Sequence, residues 1–265
     1  MKKAFLMMVL ALMACIFAGC AKDDASATEG AADKPLVVAT EATFPPYEFM
    51  VGQEIVGIDI DICKAVAEKL GRPLKVENTA FDSIITHVIT KKADVGASGI
   101  TVTEERKMNV LFSKPYFTAS QVIIVMANNA KIQKSADLKG VRIGCQQGTT
   151  GYDYVAQNIV TQKGSDLLQA FPNAALAVEA LMSGKLDAVV IDEGPAQTFA
   201  KHNAGKIVIL PEALTKEEYA IALNKKDTEL CKVFDEVITD LISSGKLEEI
   251  TKKNKELADK QNEKK

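Results

Sequence analysis

The chain has 265 residues and carries 32 Lys and Arg against 35 Asp and Glu, a formal net charge of −3. This near balance gives no electrostatic reason to bind nucleic acid or an anionic membrane surface. A hydrophobic fraction of 47% is ordinary for a packed globular protein.

The N-terminus has the pattern of an export signal. Lys2 and Lys3 precede an apolar run over residues 4–18, which is short for a bilayer-spanning helix. The run ends in Phe-Ala-Gly-Cys, which resembles a lipoprotein box, so we expect residues 1–19 to be a lipoprotein signal peptide and Cys20 to carry lipid. The chain would then be exported and anchored to a bacterial membrane, facing the periplasm or the cell exterior. Secretion with an unmodified Cys20 is the alternative.

The segment after the signal predicts a tether. Residues 20–34 are small, polar and charged without an apolar period, which is typical of a disordered linker. About 230 residues remain, enough for one large domain or two modest ones. They include Cys63, Cys145 and Cys231, and an odd number of cysteines in an exported chain leaves at least one free thiol. No cysteine or histidine spacing predicts a metal site.

Strands and helices alternate through the first half. A strand at 36–39 is followed by a proline-containing loop, and 58–70 has the spacing of an amphipathic helix that ends before Gly71. A strand at 74–76, a helix at 83–91 and a strand at 94–97 follow. This alternation is typical of a parallel sheet with helical crossovers.

The same order recurs in the second half. Predicted strands at 122–126, 141–145 and 187–191 enclose helices from 151 to about 160 and at 173–183. Lys-Lys-Ala-Asp94 corresponds to Gly-Lys-Leu-Asp187, and Val-Ala-Thr-Glu41 corresponds to Ile-Gly-Cys-Gln146. A strand at 219–223, a helix at 230–247 and a fraying, solvated, lysine-rich helix tail at 252–265 follow. Because open α/β sheets bind ligands where their parallel strands end, two facing halves predict a cleft.

Residues 97–106 (ASGITVTEER) join a predicted strand to a predicted helix. Thr103 is the expected N-cap, and the two glutamates after it suit a first helical turn. Ser98, Gly99 and Thr101 would therefore lie where free backbone N–H groups collect. Arg106 would add a planar guanidinium matched to a carboxylate. The stretch predicts a carboxylate cradle; a capped helix with a surface arginine is the alternative interpretation.

Eight motifs together resemble one family. In chain order they are ATEATFPPYEF, VGIDIDI, AFDSII, SGITVTEER, FSKPY, ADLKGVRIG, QQGTT and LDAVVIDE. They resemble the polar-amino-acid solute-binding proteins of ABC importers, extracellular solute-binding protein family 3. The resemblance implies a type II, two-lobed periplasmic-binding-protein fold. In this α/β fold each lobe is a mostly parallel sheet flanked by helices, and two strands form the hinge.

The resemblance also implies how an amino acid would be held. Arg106 corresponds to the residue that grips the ligand α-carboxylate, and Asp192 to the acid that receives the α-ammonium group. A buried zwitterion needs one guanidinium and one carboxylate, since an unpaired buried charge is costly. Further backbone and hydroxyl groups of this site come from Ser98, Gly99, Ile100 and Thr101 in one lobe and Gly148, Thr149 and Thr150 in the other.

The side-chain end of the site is also implied by the resemblance. Phe44 and Phe81 correspond to aromatic residues that sandwich the ligand side chain, with an ordinary core position as the alternative. Glu41 corresponds to an acid that can reach a distal cation, and Gln146 and Gln147 would line the same end. An acid with neutral amides favours arginine, lysine or histidine, and glutamine, cystine or another polar amino acid remains open.

The implied mechanism is closure of two lobes. Residues 35–120 plus 217–265 would form lobe 1 and 121–216 lobe 2, with hinge segments near 119–121 and 211–218. The expected partners are a free amino acid, an ABC permease that recognises the closed form, and its ATPase. We expect a monomer that uses no cofactor, metal or nucleic acid.

Two other classes remain as alternatives. A cyclohexadienyl-type dehydratase would use the same fold as an enzyme, with Glu193 beside Asp192 as the spare acid. The Ser243–Lys246 pattern Ser-x-x-Lys falls at a predicted helix end, and His202 lies in a loop-like stretch, so neither favours catalysis. A binding protein that serves a chemoreceptor or sensor is the second alternative.

Overall fold

The structure is a computed structural model that describes residues 34–160, 162 and 165–261. The predicted signal peptide (1–19), the predicted lipid site at Cys20 and the tether up to residue 33 lie outside the described residues. Among the residues it describes, every helix is too short or too polar to cross a lipid bilayer.

The elements alternate along the described chain. The strands before residue 130 are β1 (Leu36–Thr40), β2 (Thr43–Phe44), β3 (Glu48–Val51), β4 (Glu54–Val56), β5 (Leu74–Asn78), β6 (Val95–Gly96), β7 (Val110–Phe112), β8 (Phe117–Ala119) and β9 (Gln121–Met126). The later strands are β10 (Ile143–Gln146), β11 (Leu168–Phe171), β12 (Ala188–Asp192), β13 (Ile207–Ile209), β14 (Glu217–Tyr219) and β15 (Ala222–Asn224). The helices are α1 (Ile58–Leu70), α2 (Phe81–Ile89), α3 (Glu104–Lys107), α4 (Thr150–Asn158), α5 (Ala174–Met182), α6 (Glu193–His202), α7 (Thr228–Ser243) and α8 (Lys246–Lys260).

Two five-stranded sheets follow the same plan. In the first sheet the order is β5-β1-β6-β15-β7, and in the second it is β11-β10-β12-β9-β13. In each sheet the first three strands are parallel, and the fourth is antiparallel to both of its neighbours. Four of the five strands therefore point the same way, which confirms the prediction of mostly parallel sheets.

The internal repeat is visible in equivalent hydrogen bonds. Asp94 Oδ2 accepts from the Val37 N–H at 3.0 Å, and Asp187 Oδ2 accepts from the Arg142 N–H at 2.9 Å. In return the Asp94 and Asp187 N–H groups donate to the carbonyls of Val37 and Arg142, each at 2.9 Å. The two aspartates thus fix the start of β1 and β10 in the same way, as the sequence correspondence predicts.

A two-stranded ribbon joins the two sheets. The chain leaves the first sheet after β7 and enters the second through β8 and β9, and it returns from β13 through β14 to β15. β8 and β14 pair with each other in antiparallel register, with Glu217 opposite Ala119. This ribbon provides the two-strand connection expected of a hinge.

The predicted strand at 219–223 is wrong in its extent, because it is two strands. β14 pairs with β8 in the ribbon, whereas β15 pairs with β6 and β7 in the first sheet. Between them the Ala220 N–H donates to the Ile100 carbonyl at 3.1 Å. The apolar residues are continuous in sequence, but the chain changes partners within them, and local pattern carries no trace of that change.

The C-terminal helices also differ from expectation. The helix predicted at 230–247 ends at Ser243, and Gly245 has φ of 75°, so the chain turns before α8. The predicted helix tail from residue 252 lies within α8, and burial of Asn254 and Ala258 makes it less solvated than expected. The loop-like stretch at 201–205 begins within α6. The Gly-Pro pair in α6 resembles a turn, but proline is tolerated in the first turn of a helix because its missing N–H has no acceptor there.

Candidate functional site

The carboxyl ends of four parallel strands converge on one cavity. β1 is followed by Glu41, β6 is followed by Ser98, β10 ends at Gln146 and β12 ends at Asp192. The space among the lining residues totals about 300 Å³, part of it open to solvent. Its lining consists of Glu41, Phe44, Glu48, Phe81, Ser98, Gly99, Thr101, Arg106, Gln146, Thr149, Thr150 and Asp192. Every one of them except Glu48 is a predicted site residue.

Three predicted site residues lie outside this lining. The Ile100 side chain is 1% exposed and packs in the core with Ile84 and Val88. Gln147 is exposed, and its amide donates to Asp82 at 3.0 Å across the cleft. The Gly148 carbonyl accepts a hydrogen bond from the Arg106 guanidinium. These residues surround the site without their side chains lining it.

Arg106 is held in place by carbonyls from both halves. Thr103 caps α3 by accepting from the Arg106 N–H at 3.1 Å, as predicted, although α3 is a single turn of four residues. The Arg106 guanidinium donates to the Thr101 carbonyl at 2.8 Å and to the Gly148 carbonyl at 3.0 Å. Its Cζ lies 5.6 Å from the centre of the Phe81 ring. Because carbonyls occupy only part of its fork, the guanidinium can still bind a carboxylate.

The threonine hydroxyls beside Arg106 are already engaged. Thr101 and Thr150 both donate to the same oxygen of Glu217, at 2.7 and 2.9 Å. Thr149 donates to the Gln146 carbonyl at 2.8 Å and accepts from a backbone N–H of α4. Of the donors expected from this part of the site, the backbone N–H groups at the start of α4 therefore remain available to an anion.

Asp192 also lines the cavity and is buried, with 7% of its surface exposed. Its Oδ1 accepts from the Tyr219 hydroxyl at 2.5 Å. Burial raises the pKa of Asp192 from 3.8 to about 6, the charge of Glu217 adds to the shift, and the Tyr219 hydrogen bond opposes it. Because the pKa of Asp192 lies only about one unit below neutral pH, a cation that binds beside the carboxylate would stabilise its ionised form.

The Glu41 end of the cavity carries a second acid. Both oxygens of Glu41 accept from the Thr43 hydroxyl, and the Gln146 amide lies 3.4 Å from Oε2. Burial raises the pKa of Glu41, and these two hydrogen bonds oppose the shift. Phe44 forms the wall here, and its ring lies so near Gly99 that a Cβ at residue 99 would be 3.1 Å from it. Glycine is also suited to the φ of 51° at this position.

Two buried acids behind the Ser98-Gly99 turn were not predicted. Ser98 donates to Glu48 Oε1 at 3.0 Å, and Asp59 accepts from the Gly99 N–H at 2.9 Å and the Tyr116 hydroxyl at 2.7 Å. Glu48 and Asp59 are both fully buried. The signal that could have found them is the presence of a charged residue within an apolar motif, in PPYEF and VGIDIDI.

Asp59 makes folding stability depend on pH. Burial raises its pKa from 3.8 to about 7, against the hydrogen bonds from Tyr116 and Gly99. The folded chain therefore binds more protons than the unfolded chain between about pH 4 and pH 7. We expect the free energy of unfolding to fall as pH rises through this window, by on the order of 4 kcal/mol from this group. Urea unfolding from pH 4 to pH 8 should show a shallower fall for Asp59→Asn; parallel curves for the two proteins would contradict this.

Sequence comparisons identify relatives over nearly the whole chain. The family described as bacterial extracellular solute-binding proteins, family 3, matches residues 36–256. The arginine-binding extracellular protein ArtP of Bacillus subtilis (strain 168) is 31% identical over 261 residues, which cover 96% of this chain and 98% of that protein. A probable histidine-binding protein of Neisseria gonorrhoeae is 31% identical over 246 residues, covering 91% and 89% of the two chains.

The fold is shared with solved structures. The arginine-, lysine-, histidine-binding protein ArtJ of Geobacillus stearothermophilus superposes with a TM-score of 0.77 at 34% identity, covering 83% of this chain and 94% of that one. This likeness confirms the two-lobed type II periplasmic-binding-protein fold. With the family match spanning residues 36–256, the chain belongs to the bacterial extracellular solute-binding proteins of family 3.

Proposed function

We propose that the cavity binds a free α-amino acid with a cationic side chain. The observation that carries the proposal is the cavity's charge pattern, because one guanidinium (Arg106) shares it with the carboxylates of Glu41 and Asp192. Burial and the charge of Asp59 hold the pKa of Glu48, the third acid of the lining, well above its usual range. A ligand that matches this pattern has one anionic group and more than one cationic group. Arginine and lysine meet the requirement at neutral pH, and histidine meets it when its ring is protonated.

The placement of the charges supports a defined orientation. Arg106 and the start of α4 would hold the α-carboxylate, and Asp192 would hold the α-ammonium group. The Ser98 hydroxyl accepts from the Glu41 N–H and donates to Glu48, which leaves one lone pair on its oxygen for the same ammonium. The names of the three relatives, which refer to arginine, lysine and histidine, support a basic ligand.

The distal cation would lie at the Glu41 end. Glu41 is buried and Gln146 lies beside it, so a guanidinium or ammonium there would replace the water lost on burial of the carboxylate. Phe44 and Phe81 line the cavity and would cover the apolar part of the ligand side chain. This arrangement supports arginine over glutamine, because a neutral amide would leave the Glu41 charge uncompensated.

Binding would be coupled to closure and transport. We propose that 35–120 plus 217–265 and 121–216 act as the two lobes and that the β8–β14 ribbon is the hinge. Contacts across the cleft, such as Arg106 to Gly148 and Gln147 to Asp82, would form as the lobes close. The closed monomer would then deliver its ligand to an ABC permease driven by its ATPase, while lipid on Cys20 keeps it at the membrane.

The position of Glu193 supports amino-acid binding over the dehydratase alternative. This acid, which the dehydratase alternative requires, is exposed and lies outside the cavity lining. Its carboxylate accepts from Ser120 at 3.2 Å and from Gln197 at 3.0 Å.

A thermal-shift screen tests the proposal. The chain from Ala21 would be unfolded and refolded to remove carried-over ligand, then melted with each common amino acid and with cystine. A ligand at 1,000 times its dissociation constant stabilises by about 4 kcal/mol, which raises Tm by roughly 10 °C. We expect arginine and lysine to give such shifts and glutamate to give none. A shift with glutamine or cystine alone would remove the role of Glu41, and no shift with any amino acid would overturn the proposal.

A further inference from the structure

We propose that Glu217 is a closure latch, a positioning residue that holds the closed lobes together by accepting hydrogen bonds from both. The inference rests on the proposed function, because it assumes that closure accompanies amino-acid binding. Glu217 does not line the cavity and was not predicted as a site residue. It lies in the β14 strand of the ribbon and is 8% exposed.

The carboxylate of Glu217 collects three hydroxyl groups. Its Oε2 accepts from Thr101 at 2.7 Å and from Thr150 at 2.9 Å, and its Oε1 accepts from Thr215 at 2.9 Å. Three charge-assisted hydrogen bonds compensate the desolvation of a buried carboxylate, so all of them matter to its stability. Loss of one donor would leave a buried charge partly unsatisfied.

The donors belong to different halves of the molecule. Thr101 follows the first sheet and forms an isolated bridge with Tyr219, whereas Thr150 begins α4, which packs on the second sheet. A single oxygen can accept from both only while the two segments lie within hydrogen-bond distance. Rotation of the lobes about the ribbon would therefore break one of these bonds, so the shared oxygen is specific to the closed form.

Glu217 also holds two residues, Thr101 and Thr150, at the end of the cavity that would bind the ligand α-carboxylate. Thr101 supplies a carbonyl that Arg106 binds, and Thr150 is the first residue of the helix whose N–H groups face the proposed α-carboxylate. Burial lowers the pKa of Arg106, and the charges of Asp153 and Glu217 oppose that shift. Glu217 thus orients the binding groups from behind without occupying the space of the ligand.

The test compares three substitutions at Glu217 with one at its neighbour. Glu217→Ala removes the hydrogen-bond acceptor. Glu217→Asp shortens the side chain, so that its carboxylate no longer reaches both threonines. Glu217→Gln keeps one side-chain oxygen that can accept from Thr101 and Thr150. Glu218→Ala is the matched control, because Glu218 is an exposed acid on the same strand. Titration calorimetry and stopped-flow kinetics with L-arginine measure the dissociation constant and the dissociation rate. If the wild type gives no heat with arginine, the amino acid with the largest thermal shift replaces it.

We expect Glu217→Ala and Glu217→Asp to raise the dissociation constant about 10- to 100-fold, mainly through faster dissociation, as for the loss of hydrogen bonds to a charged group. Glu217→Gln should stay within about threefold of wild type, since its amide oxygen can accept from both threonines and its NH₂ can donate to Thr215. Glu218→Ala should bind as wild type does. Wild-type affinity in Glu217→Ala and Glu217→Asp would overturn the latch and leave the proposed function standing.

A closure assay without ligand makes the test independent of amino-acid binding. Asp82 and Gly148 lie against each other across the cleft, where a Cβ at residue 148 would be 3.0 Å from the Asp82 Cβ. Asp82→Cys combined with Gly148→Cys would therefore form a disulfide only when the lobes are closed. The latch predicts disulfide formation at least about fivefold slower in the Glu217→Ala background, in line with the loss of one such bond, and unchanged in Glu218→Ala. Equal rates in all backgrounds would overturn the latch even if no amino acid binds. Failure of the wild type to bind any amino acid would overturn the proposed function alone.

Discussion

Arg106→Ala is expected to raise the dissociation constant for a basic amino acid by about 30- to 5,000-fold, the equivalent of about 2–5 kcal/mol. The substitution removes the guanidinium group from the cavity lining, in which the acids Asp192 and Glu41 remain. A ligand α-carboxylate would then face buried acids without its partner. Isothermal titration with L-arginine measures the loss.

The fold should survive this substitution. The Arg106 side chain is half-buried and its two protein acceptors, the carbonyls of Thr101 and Gly148, remain accessible to water in an open form. We therefore expect an unliganded melting temperature within a few degrees of wild type. Lys107→Ala is the matched control, since Lys107 is an exposed cation on the same turn and pairs with Glu104. Equal binding by Arg106→Ala and wild type would remove Arg106 from the account.

Asp192→Asn is expected to weaken binding by a similar factor, because the ligand α-ammonium would lose its carboxylate. The local structure should be kept, since an amide oxygen can still accept from the Tyr219 hydroxyl.

The pH dependence of amino-acid binding should also change in Asp192→Asn. With the pKa of Asp192 at about 6 in the free protein, binding requires loss of a proton below that pH. Wild-type affinity should therefore fall about tenfold per unit as pH drops below 6.

Titrations of L-arginine from pH 5 to pH 8 test this prediction. The Asn variant should lack the slope that Asp192 produces, while Glu193→Gln, which alters an exposed neighbour, should keep both the slope and the affinity. A wild-type slope in the Asn variant would show that another group carries the pH dependence. Glu41 is the group to test next, because burial raises its pKa as well.

Much of the fold follows from local pattern. The 3.6-residue period of α1 and α5, the helix-ending Gly71 and the repeat of Asp94 and Asp187 are all visible in the sequence, and the structure places them as predicted. The elements that were missed depend on partners instead. β14 and β15 separate because they join different sheets, and α8 packs against α1, α6 and α7, where Asn254 donates to Asp61.

The site residues also divide into those that local pattern predicts and those that depend on distant partners. Residues at strand ends could be predicted, because the edge of a parallel sheet determines where Glu41, Gln146 and Asp192 lie. Glu217 could not, because Thr101 is 116 residues away from it in the chain and meets it only through the ribbon. The sequence likewise gives no sign that the hydroxyl groups of Thr101 and Thr150 donate to this carboxylate.

A crystal structure of the chain grown with L-arginine is the sharpest test of the proposed binding mode. We expect one arginine in the cavity, with its α-carboxylate on Arg106, its α-ammonium on Asp192 and its guanidinium on Glu41. All three contacts should lie within ordinary hydrogen-bond distance, about 2.7–3.2 Å. An arginine bound in the reverse direction, with its guanidinium on Asp192, or bound outside this cavity, would refute this binding mode.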